Sequence, residues 1–184
     1  MVEITISIVL QLLQTAGILI GIVYYITIMR NVQRNQQMTE ESRQLQLLIQ
    51  FSNQRSEEDM KRGLVLMNME WEDYDDYERK YGSDVNPDNY SKRMAMWSRF
   101  NWMGMLLRRG LIDRDVLFES LGPAALQHWT KFKEIIPETR RRYNLHLYGV
   151  DFEYLAEEYR KYVQEKGFDP TVPETFYRYI PDEK

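Results

Sequence analysis

The sequence predicts an all-α protein: an N-terminal transmembrane helix, then a bundle-like helical cytoplasmic domain with an extended C-terminal tail. Three observations predict it. Residues Ile4 to Met29 form 26 consecutive positions without a charge. From Arg30 to Tyr81 there is no Pro and one Gly, Gly63, and the alternation of Val, Ile and Thr that marks strands is almost absent after residue 30. The rest of the chain carries repeated helix start and stop signals. The whole-chain averages of 184 residues, a net charge of −4 and a mean hydropathy of −0.56 describe a soluble polar protein only because they pool two unlike parts.

The first segment, residues 1–29, is read as the anchor. At 1.5 Å rise per residue, roughly 20 residues cross the hydrocarbon core, so the run is long enough to span with tilt. A cleaved signal peptide needs a positive n-region, and here that region is Met1-Val2-Glu3. Arg30 and Arg34 follow the span whereas only Glu3 precedes it, so positive charge retained inside places the N-terminus outside and the body in the cytoplasm. Ser7, Gln11, Gln14, Gly17, Gly21 and Tyr24 recur at steps of three or four and share a face. Gly17 and Gly21 form a GxxxG that admits a second helix closely, and Gln11 and Gln14 can hydrogen-bond across such a contact. The expected partner is a second copy or another membrane protein.

Residues 30–54 read as a membrane-proximal helical stalk, polar at first, with an apolar stripe beginning at Leu45, Leu48 and Ile49. Residues 55–167 read as the helical domain. Ser56 followed by Asp59 resembles a capping box, and Met60, Leu64, Met67 and Trp71 then share a face. Gly82 to Asn89 is rich in turn formers. A helix from about Tyr90 to Arg109 turns Met94, Trp97, Phe100, Met103 and Leu107 inward, with Gly110 as its C-terminal cap. Asp113 caps a short helix to Leu121, and Gly122-Pro123 stops it and starts the next. That helix runs to about Tyr143 with Leu126, Trp129, Phe132 and Ile136 inward, kinked or divided at Pro137. Asp151 opens the last helix, which ends near Gly167. The tail, 168–184, carries three prolines and reads as extended, with Phe176, Tyr177 and Tyr179 packing onto something.

Charge is segregated. Residues 69–88 hold eight acidic and two basic side chains, 92–142 hold 11 basic and 5 acidic, and 151–184 hold 9 acidic and 5 basic. Mutual attraction between helices and ordinary solvated faces are the expected uses.

Little chemistry is encoded. With no Cys, disulfides, thiol catalysis and Cys-ligated metals are excluded, and two His leave little for a His-rich centre. No P-loop, GxGxxG or HExxH occurs, so no cofactor is implied and no catalytic residue is assigned. Glu72, Asp75 and Asp76, if helical, would line neighbouring turns and offer oxygens to a hard cation, but a solvated acidic face is the simpler reading. Asp84-Val85-Asn86-Pro87-Asp88 imitates the start of a calcium loop, yet Asn89 and Ala95 stand where that loop needs Gly and Glu, so a capped turn is expected. Lys92, Arg93, Arg99, Arg108 and Arg109, interleaved with Trp97, Phe100 and Trp102, together with Arg30 and Arg34, are candidates for contact with anionic lipid or an acidic partner. Nucleic acid is disfavoured by the net negative charge. Arg140 to Arg142 suit a helix C-terminus.

Several pieces extend over most of the chain: Gly17 to Tyr25 with Arg30, Arg43 to Leu47, Trp71 to Tyr77 with Tyr81-Gly82, Gly104 to Asp113, Trp129 to Phe132 and Phe152 to Leu155. In these the chain resembles a group of uncharacterised small membrane proteins, mostly archaeal, with one N-terminal membrane helix and a helical cytoplasmic region. The resemblance implies the anchor-plus-helices layout and supplies no activity and no functional residues. The readings that follow are a scaffold or accessory subunit acting by interaction, a membrane-bound metal-dependent enzyme using residues 70–78, or a module contacting anionic lipid or nucleic acid through residues 92–142.

Overall fold

A computed structural model describes residues 6–53 and 57–172. Among them are eight α-helices and no strand: α1 (Ile6–Asn53), α2 (Glu57–Met67), α3 (Tyr74–Tyr81), α4 (Pro87–Arg108), α5 (Arg114–Leu121), α6 (Ala124–Phe132), α7 (Ile135–Tyr143) and α8 (Val150–Glu165). The chain divides into two units, residues 1–46 and 47–184.

The first unit is the greater part of α1, which runs without a break from the apolar segment into the polar one. Its Thr15 and Thr27 hydroxyls donate to the carbonyls of Gln11 and Val23 one turn back, at 2.9 and 2.8 Å. Hydroxyls satisfied in this way need no water, as an apolar medium requires.

The second unit is built around α4 and α8. These two helices form the principal pairing, and α6 packs on α8 while α2 and α3 pack on α4. Trp97, Phe100, Met103, Leu126, Trp129, Phe132 and Ile136 are buried, as their spacing predicts, with Phe152 and Leu155 from α8 completing the centre. Phe152 stacks on Phe100 at 5.0 Å and meets Trp129 edge-on at 5.4 Å. Such aromatic pairs add about 0.5–1.5 kcal/mol each beyond their area burial.

Close approach of α4 and α8 depends on Gly104. A Cβ at this position would lie 1.8 Å from the Asp151 carbonyl oxygen and 3.2 Å from the Leu155 Cβ. Asn101, one turn earlier on α4, accepts from the backbone amides of Asp151 and Phe152 at 3.1 and 3.2 Å. The first amides of α8, which lack intrahelical acceptors, are thus satisfied by α4.

Helix boundaries follow side-chain caps. Gly110, at φ +64°, ends α4 in a Schellman turn, with Leu111 N–H donating to the Leu106 carbonyl at 2.9 Å. Asp113 accepts from the Val116 amide at 3.0 Å and starts α5. Two boundaries differ from expectation. Asn86 caps α4 by accepting from the Asn89 amide at 3.1 Å, so the helix starts at Pro87 and not near Tyr90, with Pro in the first turn where its missing N–H costs nothing. The helix expected to be kinked or divided at Pro137 is divided, into α6 and α7, but the break falls earlier, at Lys133-Glu134. Pro137 explains the position: it has no N–H to offer the Lys133 carbonyl, and its ring crowds that same group.

Three further expectations are revised or fall outside the described residues. Met60 on α2 is 59% exposed, while Leu66 and Met67 enter the core and Trp71 lies beyond the helix end. Ile49 is exposed. Ser56 and the tail from residue 173, with Phe176, Tyr177 and Tyr179, are outside the described residues.

Candidate functional site

The first candidate is α1 itself. Its segment Ile6–Gln44 is long and apolar enough to cross a membrane, and no part of its most apolar stretch is buried within the protein. Ser7, Gln11, Gln14, Gly17, Gly21 and Tyr24 are all exposed. A Cβ on Gly17 or Gly21 would meet nothing within 4 Å. Among the described residues the two glycines therefore meet no packing neighbour, in contrast to Gly104.

The basic candidates on α4 do not form one surface. Lys92 is held by Asp88 one turn back at 2.6 Å, Arg99 reaches Asp59 of α2 at 3.3 Å, and Arg108 reaches Asp151 of α8 at 2.8 Å. Arg109 is exposed just past the helix end. Arg93 is a correction. It is 2% exposed, so it cannot contact lipid or an acidic partner. Its guanidinium donates to the Asn89 Oδ1 at 2.8 Å and to the Tyr81 carbonyl at 3.1 Å, and it lies over the rings of Tyr77, Tyr90 and Trp97 at 4.7, 5.3 and 5.5 Å. Among the described residues no carboxylate pairs with it. Aromatic faces and neutral acceptors take the place of a counterion, tying α4 to the end of α3. Burial pushes the Tyr77 phenol well above its ordinary range, with the Arg93 charge opposing the shift.

The acidic run is dispersed by the same logic. Asp73 caps α3, accepting from the Asp76 amide at 2.8 Å. Asp76 is buried and accepts from the Glu72 amide at 3.1 Å, from Lys80 at 2.6 Å and from Arg79. Lys80 first, then the Glu72 amide and Arg79, hold its carboxyl below the usual range against the cost of burial. Asp75 points outward to Arg142 of α7. Glu72 is exposed and precedes the helix. Glu72, Asp75 and Asp76 therefore diverge and offer a cation no common centre. Among the described residues no group of three or more acidic or His side chains could hold a metal ion. The calcium-loop imitation resolves as the expected capped turn, with Asn86 as the cap and Asp88 paired to Lys92.

Charge segregation is used between helices. Asp75–Arg142, Asp59–Arg99, Arg108–Asp151, Arg140–Glu153 and Arg114–Glu165 each join segments distant in sequence. Glu138, gripped by Arg141 and Arg142 at the end of α7, has its carboxyl lowered to about 2.

His128 was assigned no role from sequence. It is 5% exposed on α6, with Nδ1 2.8 Å from the Ala124 carbonyl one turn back, which makes Nδ1 the protonated nitrogen. Among the described residues Nε2 has no hydrogen-bond partner; it faces Gly63 of α2, while the ring sits 5.2 Å from Phe100. Burial holds the imidazole below its ordinary pKa, that is, neutral. A lone nitrogen closed in by a glycine and a phenyl ring can accept no substrate without displacing α2.

Among its described residues the protein is all-helical, with an N-terminal helix of membrane-spanning length and a helical body. The chain belongs to the DUF4760 family, a domain of unknown function, whose signature it matches over residues 2–159. Comparison with curated proteins and with solved structures finds no match. The match covers α1 as well as the body, so long helix and helical domain form one family unit.

Proposed function

We propose that the protein is a single-pass membrane protein, N-terminus outside and body cytoplasmic, that acts by interaction as a scaffold or accessory subunit. The observation that carries this reading is the contrast between glycines. Gly104 is demanded by packing inside the body, whereas Gly17 and Gly21, on an uncharged and exposed stretch, have no neighbour within 4 Å of a built Cβ among the described residues. Glycines on one face of an apolar helix, with Gln11 and Gln14 beside them, are suited to close contact with another helix, where van der Waals packing and interhelical hydrogen bonds replace the hydrophobic effect. Arg30 and Arg34 retain their role as the cytoplasmic flank, where the chain meets anionic headgroups.

The test is the double variant Gly17→Ile, Gly21→Ile in the full chain, reconstituted in lipid vesicles. Reduced self-association or reduced recovery of a membrane partner is expected. Unchanged levels of both would overturn the reading. Protease accessibility of the body in sealed vesicles of known orientation checks the topology.

A further inference from the structure

The body buries a group whose charge can change near neutral pH. His128 is 5% exposed, and its Nδ1 is committed to the Ala124 carbonyl at 2.8 Å. Its Nε2 is buried and, among the described residues, has no hydrogen-bond partner. That nitrogen faces α2: a Cβ built on Gly63 would lie 4.0 Å from it. In the neutral ring Nε2 is an unused acceptor. In the protonated ring it is an N–H with a positive charge and no acceptor, at a contact between helices. A buried unpaired charge costs far more than an unused acceptor.

The surrounding charges do not offset that cost. On α2, Asp59 and Arg62 flank Gly63; on α4, Arg99 adjoins Phe100, whose ring is 5.2 Å from the imidazole. Asp59 is shared between Arg62 and Arg99 at 3.6 and 3.3 Å. On α6 itself, Lys131 lies one turn on, over the Trp71 ring at 4.7 Å. The remaining neighbour, α8, meets α6 through Phe152 on Trp129. Burial, opposed by the Ala124 carbonyl, holds the His128 pKa below its ordinary value, with no contribution from these charges.

The first turns of α2 are the part able to yield. Glu57, Met60 and Lys61 are exposed, whereas Leu66 and Met67 at the far end are fully buried. Gly63 lies between, where a glycine weakens the helix.

We infer that His128 is an acid-operated latch on α2: a proton taken up at Nε2 releases residues 57–64 from α4 and α6, while Leu66 and Met67 hold the far end. In the released state the imidazole is solvated and titrates near its ordinary value of about 6.5, so that state takes up the proton first. The latch is therefore closed above about pH 6.5 and opens as pH falls below it, its opening equilibrium rising by up to about ten-fold per pH unit. Release uncovers the side of α4 and α6 that bears Phe100 and His128. The latch uses residues of the body alone and works whether or not α1 crosses a membrane.

Amide hydrogen exchange of the full chain in detergent, corrected for the intrinsic rate and read by mass spectrometry at about pH 7.5 and about pH 5.5, tests it. Carboxylates ordinarily titrate near pH 4, and the other imidazole, His146, is exposed after α7, so this window isolates His128. Protection of the amides of residues 61–65 is expected to fall about five- to ten-fold at the lower pH, with α8 unchanged. His128→Leu should remove the fall. Gly63→Ser tests the latch with the histidine in place: one bond beyond the Cβ, its hydroxyl reaches Nε2 at about 2.7–3.0 Å and accepts from the protonated ring. That variant should keep α2 protected at the lower pH, whereas Gly63→Ala, which adds no acceptor, should still release it. Equal α2 protection at the two pH values in the parent chain would overturn the inference. So would a fall that persists in His128→Leu, a fall of the same size in Gly63→Ser and Gly63→Ala, or a loss shared equally by α8.

Discussion

Substituting Gly104 by Ala tests the packing argument at its tightest point. In a helix interior this change ordinarily stabilises by about 1 kcal/mol, because Ala loses less backbone entropy. Here the new Cβ would sit 1.8 Å from the Asp151 carbonyl oxygen and 2.6 Å from its carbon. The obstacle is backbone, which cannot rotate away, so α8 must retreat from α4. Overpacking of this kind costs about 1–3 kcal/mol. The retreat also stretches the two hydrogen bonds that Asn101 accepts from the α8 amides, each worth about 1 kcal/mol. Set against the propensity gain, a net loss of about 2–4 kcal/mol follows, or a fall in Tm of about 5–10 °C for a protein of this size. Urea denaturation of the full chain in detergent, followed by Trp fluorescence, measures it. Gly63→Ala is the control. Its Cβ first meets the His128 Nε2 at 4.0 Å, an ordinary contact, so that variant should gain about 0.5–1 kcal/mol. A Gly104→Ala protein as stable as the parent would refute the proposed close approach of α4 and α8.

Three other outcomes follow from the buried polar groups and the caps. Arg93→Ala leaves the Asn89 amide and the Tyr81 carbonyl without their partner and empties the space between Tyr77 and Trp97; a loss of about 3 kcal/mol in the same assay is expected, and Arg93→Lys, lacking the planar fork, should restore only part of it. His128 has a folded pKa below its unfolded value, so the unfolded chain takes up the proton first: its stabilising contribution is complete above about pH 6.5 and is lost as pH falls below that. His128→Leu should therefore flatten the stability profile between about pH 6.5 and 5, removing up to about 1.4 kcal/mol per pH unit, whereas the Glu138 contribution, from a lowered carboxyl, is lost only below about pH 4.5 and should survive the substitution. Asp113→Ala removes the side-chain acceptor at the start of α5 and should cost about 1 kcal/mol, recovered by Asp113→Ser.

The body was legible in the sequence wherever local chemistry sets the structure. Gly110, Asp113 and Gly122 act on their own neighbours within a turn, and the inward faces of α4 and α6 follow helical spacing. Misreadings arose where a distant partner decides. Arg93 looks like a surface cation because its type is ordinarily exposed; its burial depends on aromatic rings from α3 and α4 arriving together. Asp76 and Asp75, adjacent in an acidic run, are sent to opposite environments by a helix start at Tyr74 that the run itself obscures. Met60 satisfies the apolar spacing of α2, but the contact with α4 uses the side bearing Leu66 and Met67. His128 carried no signal, since a buried His without ligand spacing reads as any core residue.

The distinctive motif from Gly104 to Asp113 shows where to look for function. Five of its residues have a structural cause: Gly104 admits the Asp151 carbonyl, Arg108 pairs with Asp151, Gly110 takes the left-handed turn, Ile112 is buried and Asp113 caps α5. The Trp71–Tyr77 run is similarly used up by the Trp71–Phe132 stack, the Asp73 cap, the buried Asp76 and the Tyr77–Arg93 contact. Residues already employed in building the body need no further explanation from a ligand. Gly17 and Gly21 of α1 show no such employment: among the described residues, a Cβ on either would meet nothing within 4 Å. Substitutions at Gly17 and Gly21, which meet no described neighbour, therefore test the interaction proposed above without touching the packing of the body. That separation predicts its own signature: Gly17 and Gly21 variants should alter association while leaving the denaturation midpoint of the body unchanged, and core variants such as Gly104→Ala should do the reverse.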